Sequence, residues 1–466
     1  MVRWLSWLSH LSNTQKVPGS SPSRISIHDV RWDCAGGRLE WPTLLSTTSM
    51  RPFLLLVTGI LAVLGPSTGR RVAEREFAAL SGPSLSTLAA SSDPSTNLDA
   101  ANPSSHLSNI LIPRAPDTSN NTLVRNYLVA TLRALDWHVE EDSFIDNTPY
   151  GPKNFTNVIA TKDPDAPHRV ALAAHFDSKF FAASPLNQFV GATDSAAPCA
   201  LMLDLAEFLN PLLNARAAVA DDPFSDYEID AEVADTTLQL IFFDGEEAFK
   251  DWTDTDSIYG ARHLATKWQN TYLPPHPKRR LLASHGAHTP LSTLDHLILL
   301  DLLGAPRPRV RSYFPDTAWL FDALVSAERR LGDAGLLMPS TDGNSEGEKG
   351  LKGAGEGAGH EGSFFAQRTG HEGTLGYIGD DHVPFLRAGV SILHVIAEPF
   401  PHVWHSLADD ATALDLPTLR RWNLILRVFF AEYLGLRPDE LSTREAEPTP
   451  SEGAEAAAVR RSASEL

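Results

Sequence analysis

Three acidic residues within four positions, Asp244, Glu246 and Glu247, follow directly on the apolar run 238–243. Adjacent glutamates repel each other unless a cation or a proton separates their roles. The pair therefore suits one metal-ligand carboxylate and one proton carrier. Taken alone, the stretch also reads as a solvated acidic turn. Four more positions share its setting, each at the end of an apolar run or in a loop nearby: His175 with Asp177, Asp194, Asp301 and His405. Singly they read as a strand-end histidine, a helix N-cap, a turn residue and a surface-loop residue. Together they supply carboxylates and imidazoles at one edge of a sheet, a donor set for catalytic zinc with an open position.

The elements that must position these groups are short apolar runs. Residues 238–243 are too few for a helix and rich in β-formers, so they read as a buried central strand. Residues 137–144, 157–161, 170–175, 294–300 and 390–395 read as further strands. Residues 121–134, 196–209 and 415–434 carry helical spacing, the last capped by Asp415 with Pro417 in its first turn. Strands alternating with helices predict a single α/β domain: a central, mostly parallel twisted sheet with helices on both faces. In such sheets, sites form at the carboxyl ends of the strands, where these polar residues fall.

Composition narrows the function. The 466 residues carry a formal net charge of −19, and no basic stretch could neutralise phosphates, which excludes a nucleic-acid partner. Two cysteines, Cys34 and Cys199, exclude a disulfide framework or a Cys-rich zinc module. Residues 1–49 read as no domain. Residues 50–69, with an apolar run at 53–64 behind Arg51, read as a secretory signal starting at Met50, with a signal-anchor of the Golgi or ER membrane as the alternative. No firm membrane partner follows from it. The sequons at Asn120 and Asn154 fit that route. Residues 70–105 read as a flexible lead-in, 106–436 as the catalytic domain, 340–362 as a low-complexity insertion and 437–466 as a disordered tail. The Gly343–Gly347 match to a hydrolase elbow lies in that insertion without a strand or helix around it. His360-Glu361 and His371-Glu372 lack a second histidine four residues on.

The chain resembles the glutaminyl-peptide cyclotransferases, whose fold is similar to that of the zinc aminopeptidases. The likeness rests on Ala174-His-Phe-Asp-Ser-Lys179, Val190-Gly-Ala-Thr-Asp-Ser-Ala196, Leu240-Ile-Phe-Phe-Asp-Gly-Glu-Glu-Ala-Phe249 and Asp256-Ser-Ile-Tyr-Gly-Ala-Arg-His-Leu-Ala265. Leu300-Asp-Leu-Leu-Gly-Ala-Pro306, Asp380-Asp-His-Val-Pro-Phe-Leu386 and Phe400-Pro-His-Val-Trp-His405 continue it. The resemblance implies one zinc ion per chain held by Asp194, Glu247 and His405, with Glu246 as acid/base and Asp301 and Asp380 in a supporting network. It also implies a pocket walled by Trp252, Phe400 and Trp404, with His394 as a buried member of the network; core packing is the other reading of these four. The implied substrates are peptides and proteins with an N-terminal glutamine. The opposing reading is a zinc aminopeptidase, in which His175, Asp301 and a shared Asp194 would complete a second metal site. A receptor-type ectodomain that kept the fold without the chemistry predicts missing ligands, and all the matched ones are present. Two departures stand out: Gly379 occupies the place of a usual glutamine, and Ala174 that of a cysteine, which leaves Cys199 a free buried thiol.

Overall fold

The computed structural model describes residues 74–438 apart from 76, 91–92, 221–230, 282–287, 338–361 and 373–375. The expected leader at 50–69, the extension 1–49, nearly all of the insertion and nearly all of the C-terminal tail lie outside the described residues. Six strands form one sheet in the order β1-β2-β4-β3-β5-β6. They are β1 (His138–Thr148), β2 (Gly151–Thr161), β3 (His168–His175), β4 (Thr236–Phe243), β5 (Leu294–Asp301) and β6 (Ser391–Ile396). The pairs β4/β3, β3/β5 and β5/β6 are parallel. The hairpin β1/β2 joins antiparallel against β4.

The parallel strands read as unbroken apolar runs because both their faces are covered. Along β4, Leu238, Leu240 and Phe242 point into the larger core, with the helices Ser119–Ala134, Ala197–Ala220, Ala318–Asp333 and Leu416–Tyr433 on that face. Ile241 and Phe243 point into the second core, built with Leu264 and Trp268 of the helix Tyr259–Asn270 and Phe385 of the helix His382–Arg387. Among the described residues, one segment, Leu186–Val219, is long and apolar enough to cross a membrane. Its most apolar 18-residue stretch is 78% buried inside the fold.

The lead-in differs from expectation. The helix Gly82–Ala90 and the turn of helix Ser95–Leu98 are packed, with Leu80, Leu85, Leu88 and Leu98 in the main core. Ser, Pro and Ala dominate the composition there, but a few leucines at helical spacing suffice to dock the segment.

Candidate active site

Parallel strands deliver their last residues to one edge. His175 ends β3 opposite Phe243, the last residue of β4, and Asp301 ends β5. Beyond Phe243 the chain turns at Gly245, whose φ is +77°; a Cβ there would stand 2.5 Å from the Phe155 ring. That close approach requires glycine and sends Glu246 and Glu247 back over the strand ends. Asp177 fixes them from beneath, accepting the backbone N–H groups of Glu246 (3.2 Å) and Glu247 (3.4 Å).

Asp194 arrives from the turn Ala192–Ala196, which precedes the long helix Ala197–Ala220. The turn is held by residues that no sequence pattern marks. Buried Arg114 donates to the carbonyls of Phe176, Val190 and Gly191, and Asp409 accepts the Thr193 N–H at 2.8 Å. Arg114→Met should therefore lower unfolding free energy by on the order of 3 kcal/mol, because three carbonyls lose a charged donor. Urea denaturation of the two proteins measures it.

Two imidazoles flank Asp194. His175 Nε2 lies 3.0 Å from Asp194 Oδ1 and 3.5 Å from Asp301 Oδ1. His405 Nε2 lies 3.4 Å from Asp194 Oδ2 and 3.1 Å from Glu247 Oε1. Burial works against the His405 charge, but the neighbouring carboxylates of Asp194 and Glu247 hold its pKa up at about 9. Burial likewise opposes a charged His175, and Asp177, Asp194 and Asp301 together hold it well above the usual imidazole range. Asp194 is kept ionised by the same two rings despite its burial. Lys179 Nζ donates to Glu247 Oε2 at 3.0 Å.

Asp194, Glu247 and His405 could hold a metal ion, since one ligand atom from each lies within 4.8 Å of the others. The fit has a further sign: Asp194 Oδ2 is buried and has no hydrogen-bond partner. Two carboxylates and an imidazole, with a fourth position left over, suit zinc. His175, Asp194 and Asp301 form a second such group, and Asp380, His382 and His394 a third. In the third, His394 Nε2 is already bonded to Asp380 Oδ2 at 2.7 Å. Asp381 and His382, which the sequence reading passed over, are buried with no partner for either of their polar side-chain atoms. Their only signal was their place beside Asp380.

Glu246 makes a different environment from its neighbour. Burial pushes its carboxyl well above the ordinary carboxylate range, and Asp380, Glu247 and Asp381 add to the shift while His175 opposes it. Burial, with Asp380 and Asp194, also pushes Asp301 up to about 6 against its hydrogen bond to His175, and the Ser195 hydroxyl donates to it. The outer aromatics are not core: Trp252 is 50% and Trp404 41% exposed. Trp404 stacks on His405 at 3.8 Å between ring centres, and Phe400 meets Trp404 edge-on at 5.0 Å.

Residues 157–430 match peptidase family M28. The chain is 42% identical over 329 residues to the glutaminyl-peptide cyclotransferase-like protein of Mus musculus, covering 70% of this chain and 74% of that one. It is 41% identical over 331 residues to the glutaminyl-peptide cyclotransferase of Bos taurus, covering 70% and 80%. The chain belongs to the glutaminyl-peptide cyclotransferase family. The solved glutaminyl cyclase of Macrostomum lignano superimposes with a TM-score of 0.60 at 33% identity, over 80% of this chain and all of that one. Membership of the family and of M28 makes zinc the fitting metal for the donor set. The two departures have simple structural readings. A Cβ on Gly379 would meet only the Trp252 indole nitrogen, at 3.9 Å, so the missing side chain leaves space at the rim. Cys199 is a free, buried thiol, donating to the His175 carbonyl at 3.2 Å, and burial pushes its pKa up to about 12.

Proposed function

We propose that this protein is a zinc-dependent glutaminyl-peptide cyclotransferase that converts the N-terminal glutamine of peptides and proteins to pyroglutamate, releasing ammonia. The observation that carries the reading is the difference in surroundings between the two neighbouring glutamates beyond β4. Glu247 turns to His405 and Lys179, while neighbouring Glu246 is raised well above the ordinary carboxylate range among other acids. Asp194, Glu247 and His405 would hold one zinc ion. Bound there, zinc supplies a Lewis acid that polarises the γ-carbonyl of the glutamine side chain.

The chain's own groups handle the proton. The neutral α-amine attacks the γ-carbon of the same residue, so holding the side chain folded removes much of the barrier. Glu246 accepts a proton from the attacking nitrogen as the ring C–N bond forms. It returns that proton to the side-chain nitrogen, which leaves as ammonia when the old C–N bond breaks. A carboxyl with a raised pKa suits a group that must both take and give. Asp301 and Asp380, the latter tied to His394, maintain that environment, and His175 links Asp301 to Asp194. Trp252, Phe400 and Trp404 wall the pocket and exclude water.

Purified protein incubated with a Gln-initiated peptide should yield a product lighter by one ammonia, and Leu-Gly should remain intact. Release of leucine without ammonia loss from the Gln peptide would overturn the reading. A heterocyclic chelator should abolish activity and added zinc restore it, because two carboxylates and one imidazole hold zinc more weakly than a thiolate cage. Full turnover by protein shown to be metal-free would refute zinc dependence.

The group of His175, Asp194 and Asp301 supports a second reading, a two-metal aminopeptidase. Asp301 Oδ1 already accepts the Ser195 hydroxyl and, at 2.8 Å, the Leu302 N–H, which favours one ion. Elemental analysis decides: one zinc per chain fits the cyclase and two fit the peptidase. For localisation we propose the secretory pathway with release from the cell, the alternative being an anchor in the Golgi or ER membrane.

A further inference from the structure

We propose that Asp256 is a positioning residue that sets Trp252 at the mouth of the site by gathering the loop 249–256 around its carboxylate. The inference rests on the cyclotransferase reading for its kinetic meaning and on geometry for everything else. Asp256 Oδ1 accepts the Phe249 N–H at 2.9 Å and the Tyr259 hydroxyl at 2.8 Å. Oδ2 accepts the N–H groups of Lys250 at 2.9 Å and Asp251 at 3.0 Å. Four donors on one largely buried carboxylate keep it ionised against the effect of burial.

The loop leaves the acid pair directly and returns to it. Lys179 Nζ donates to the Ala248 carbonyl at 3.2 Å, where the loop begins. At the far end, the Ile258 N–H donates to the Glu246 carbonyl at 2.8 Å and the Tyr259 N–H to the Gly245 carbonyl at 2.7 Å. Tyr259 is itself fixed, fully buried and stacked on Phe155 at 4.8 Å. Between these roots stands Trp252, half exposed and beside Gly379, the residue before Asp380. A side chain so exposed has little packing to hold it. Its position is inherited from the backbone on either side. The Asp256 carboxylate holds residues 249–251 before it, while the Thr253–Asp256 backbone bridge and the Ser257 hydroxyl on the Thr253 carbonyl, at 2.7 Å, anchor the chain after it.

The test uses Asp256→Asn in the full zinc-loaded protein. The amide keeps the shape but turns one acceptor into a donor facing backbone N–H groups. Amide hydrogen exchange at Phe249, Lys250 and Asp251 should quicken by at least about 10-fold while β3, β4 and β5 stay protected. With a Gln-initiated peptide, KM should rise about 10-fold and kcat change by less than about 3-fold, the split expected when a binding wall is loosened. Trp252→Ala should raise KM similarly, and the double variant should be no worse than Trp252→Ala alone. Tyr259→Phe, which removes one of the four donors, should give a smaller effect of the same kind and carries the test should Asp256→Asn not fold. KM effects that multiply in the double variant, or unchanged exchange in the loop, would overturn the proposal. Absence of cyclase activity in the unaltered protein would defeat the functional reading instead, and the exchange measurement would still decide whether Asp256 holds the loop.

Discussion

Glu246→Gln should retain its zinc and lose turnover by about 10²–10⁴-fold, the usual contribution of general acid–base catalysis. The substitution removes no candidate ligand. The amide cannot take a proton from the attacking amine, although it occupies nearly the same volume. Neighbouring Asp380 and Asp381 lose a competing acid, so the fold should hold or gain slightly. KM should move less than kcat, because the missing interaction acts in the transition state. Steady-state kinetics beside elemental analysis of the same sample check both halves. Loss of zinc from this variant would invert the assignment of the pair.

Glu247→Gln should fail in the opposite manner, losing metal and activity together. A neutral amide is a poorer ligand than a carboxylate, and it leaves Asp194 as the only anionic member of the group with His405. The damage extends further. Lys179, mostly buried, loses the carboxylate 3.0 Å from its ammonium, and His405 loses its nearer partner at 3.1 Å. Stripping one side of a buried ion pair typically costs about 3 kcal/mol, so the metal-free variant should also unfold earlier in urea than the metal-free parent. Titration of zinc into the variant, followed by activity, distinguishes weakened binding from a lost reaction.

Much of the site was legible because polar residues at the ends of apolar runs are conspicuous. The six strands were found where the runs lie, and His175, Glu246, Glu247 and Asp301 follow their ends as parallel pairing requires. The hairpin was underestimated. Residues 143–148 of β1 alternate exposed and half-buried positions with few apolar side chains, so the strand's extension to Thr148 left little pattern. The helices Tyr259–Asn270 and Ala318–Asp333 were not singled out, although each buries a leucine-bearing face against the sheet. Arg114 and Asp409 were invisible for another reason. Their partners are backbone groups far along the chain, and nothing in a sequence marks which arginine will be buried. The resemblance supplied the grouping of Asp194 with Glu247 and His405, since spacing alone could not choose among several acids and histidines.

The candidate ligands belong to the turn before a helix, the end of a strand and a late loop, with His405 lying 158 residues beyond Glu247. No fragment that lacks any of these three elements can bring the ligands together. A cation taken up there is consequently a ligand of the native state alone, and occupancy is coupled to folding by mass action. Free metal at about 100 times its Kd would add about 2.7 kcal/mol to the native state. The melting temperature of this protein should then rise with free zinc and fall under chelation, and Glu246→Gln should respond in the same way although it no longer turns over substrate efficiently.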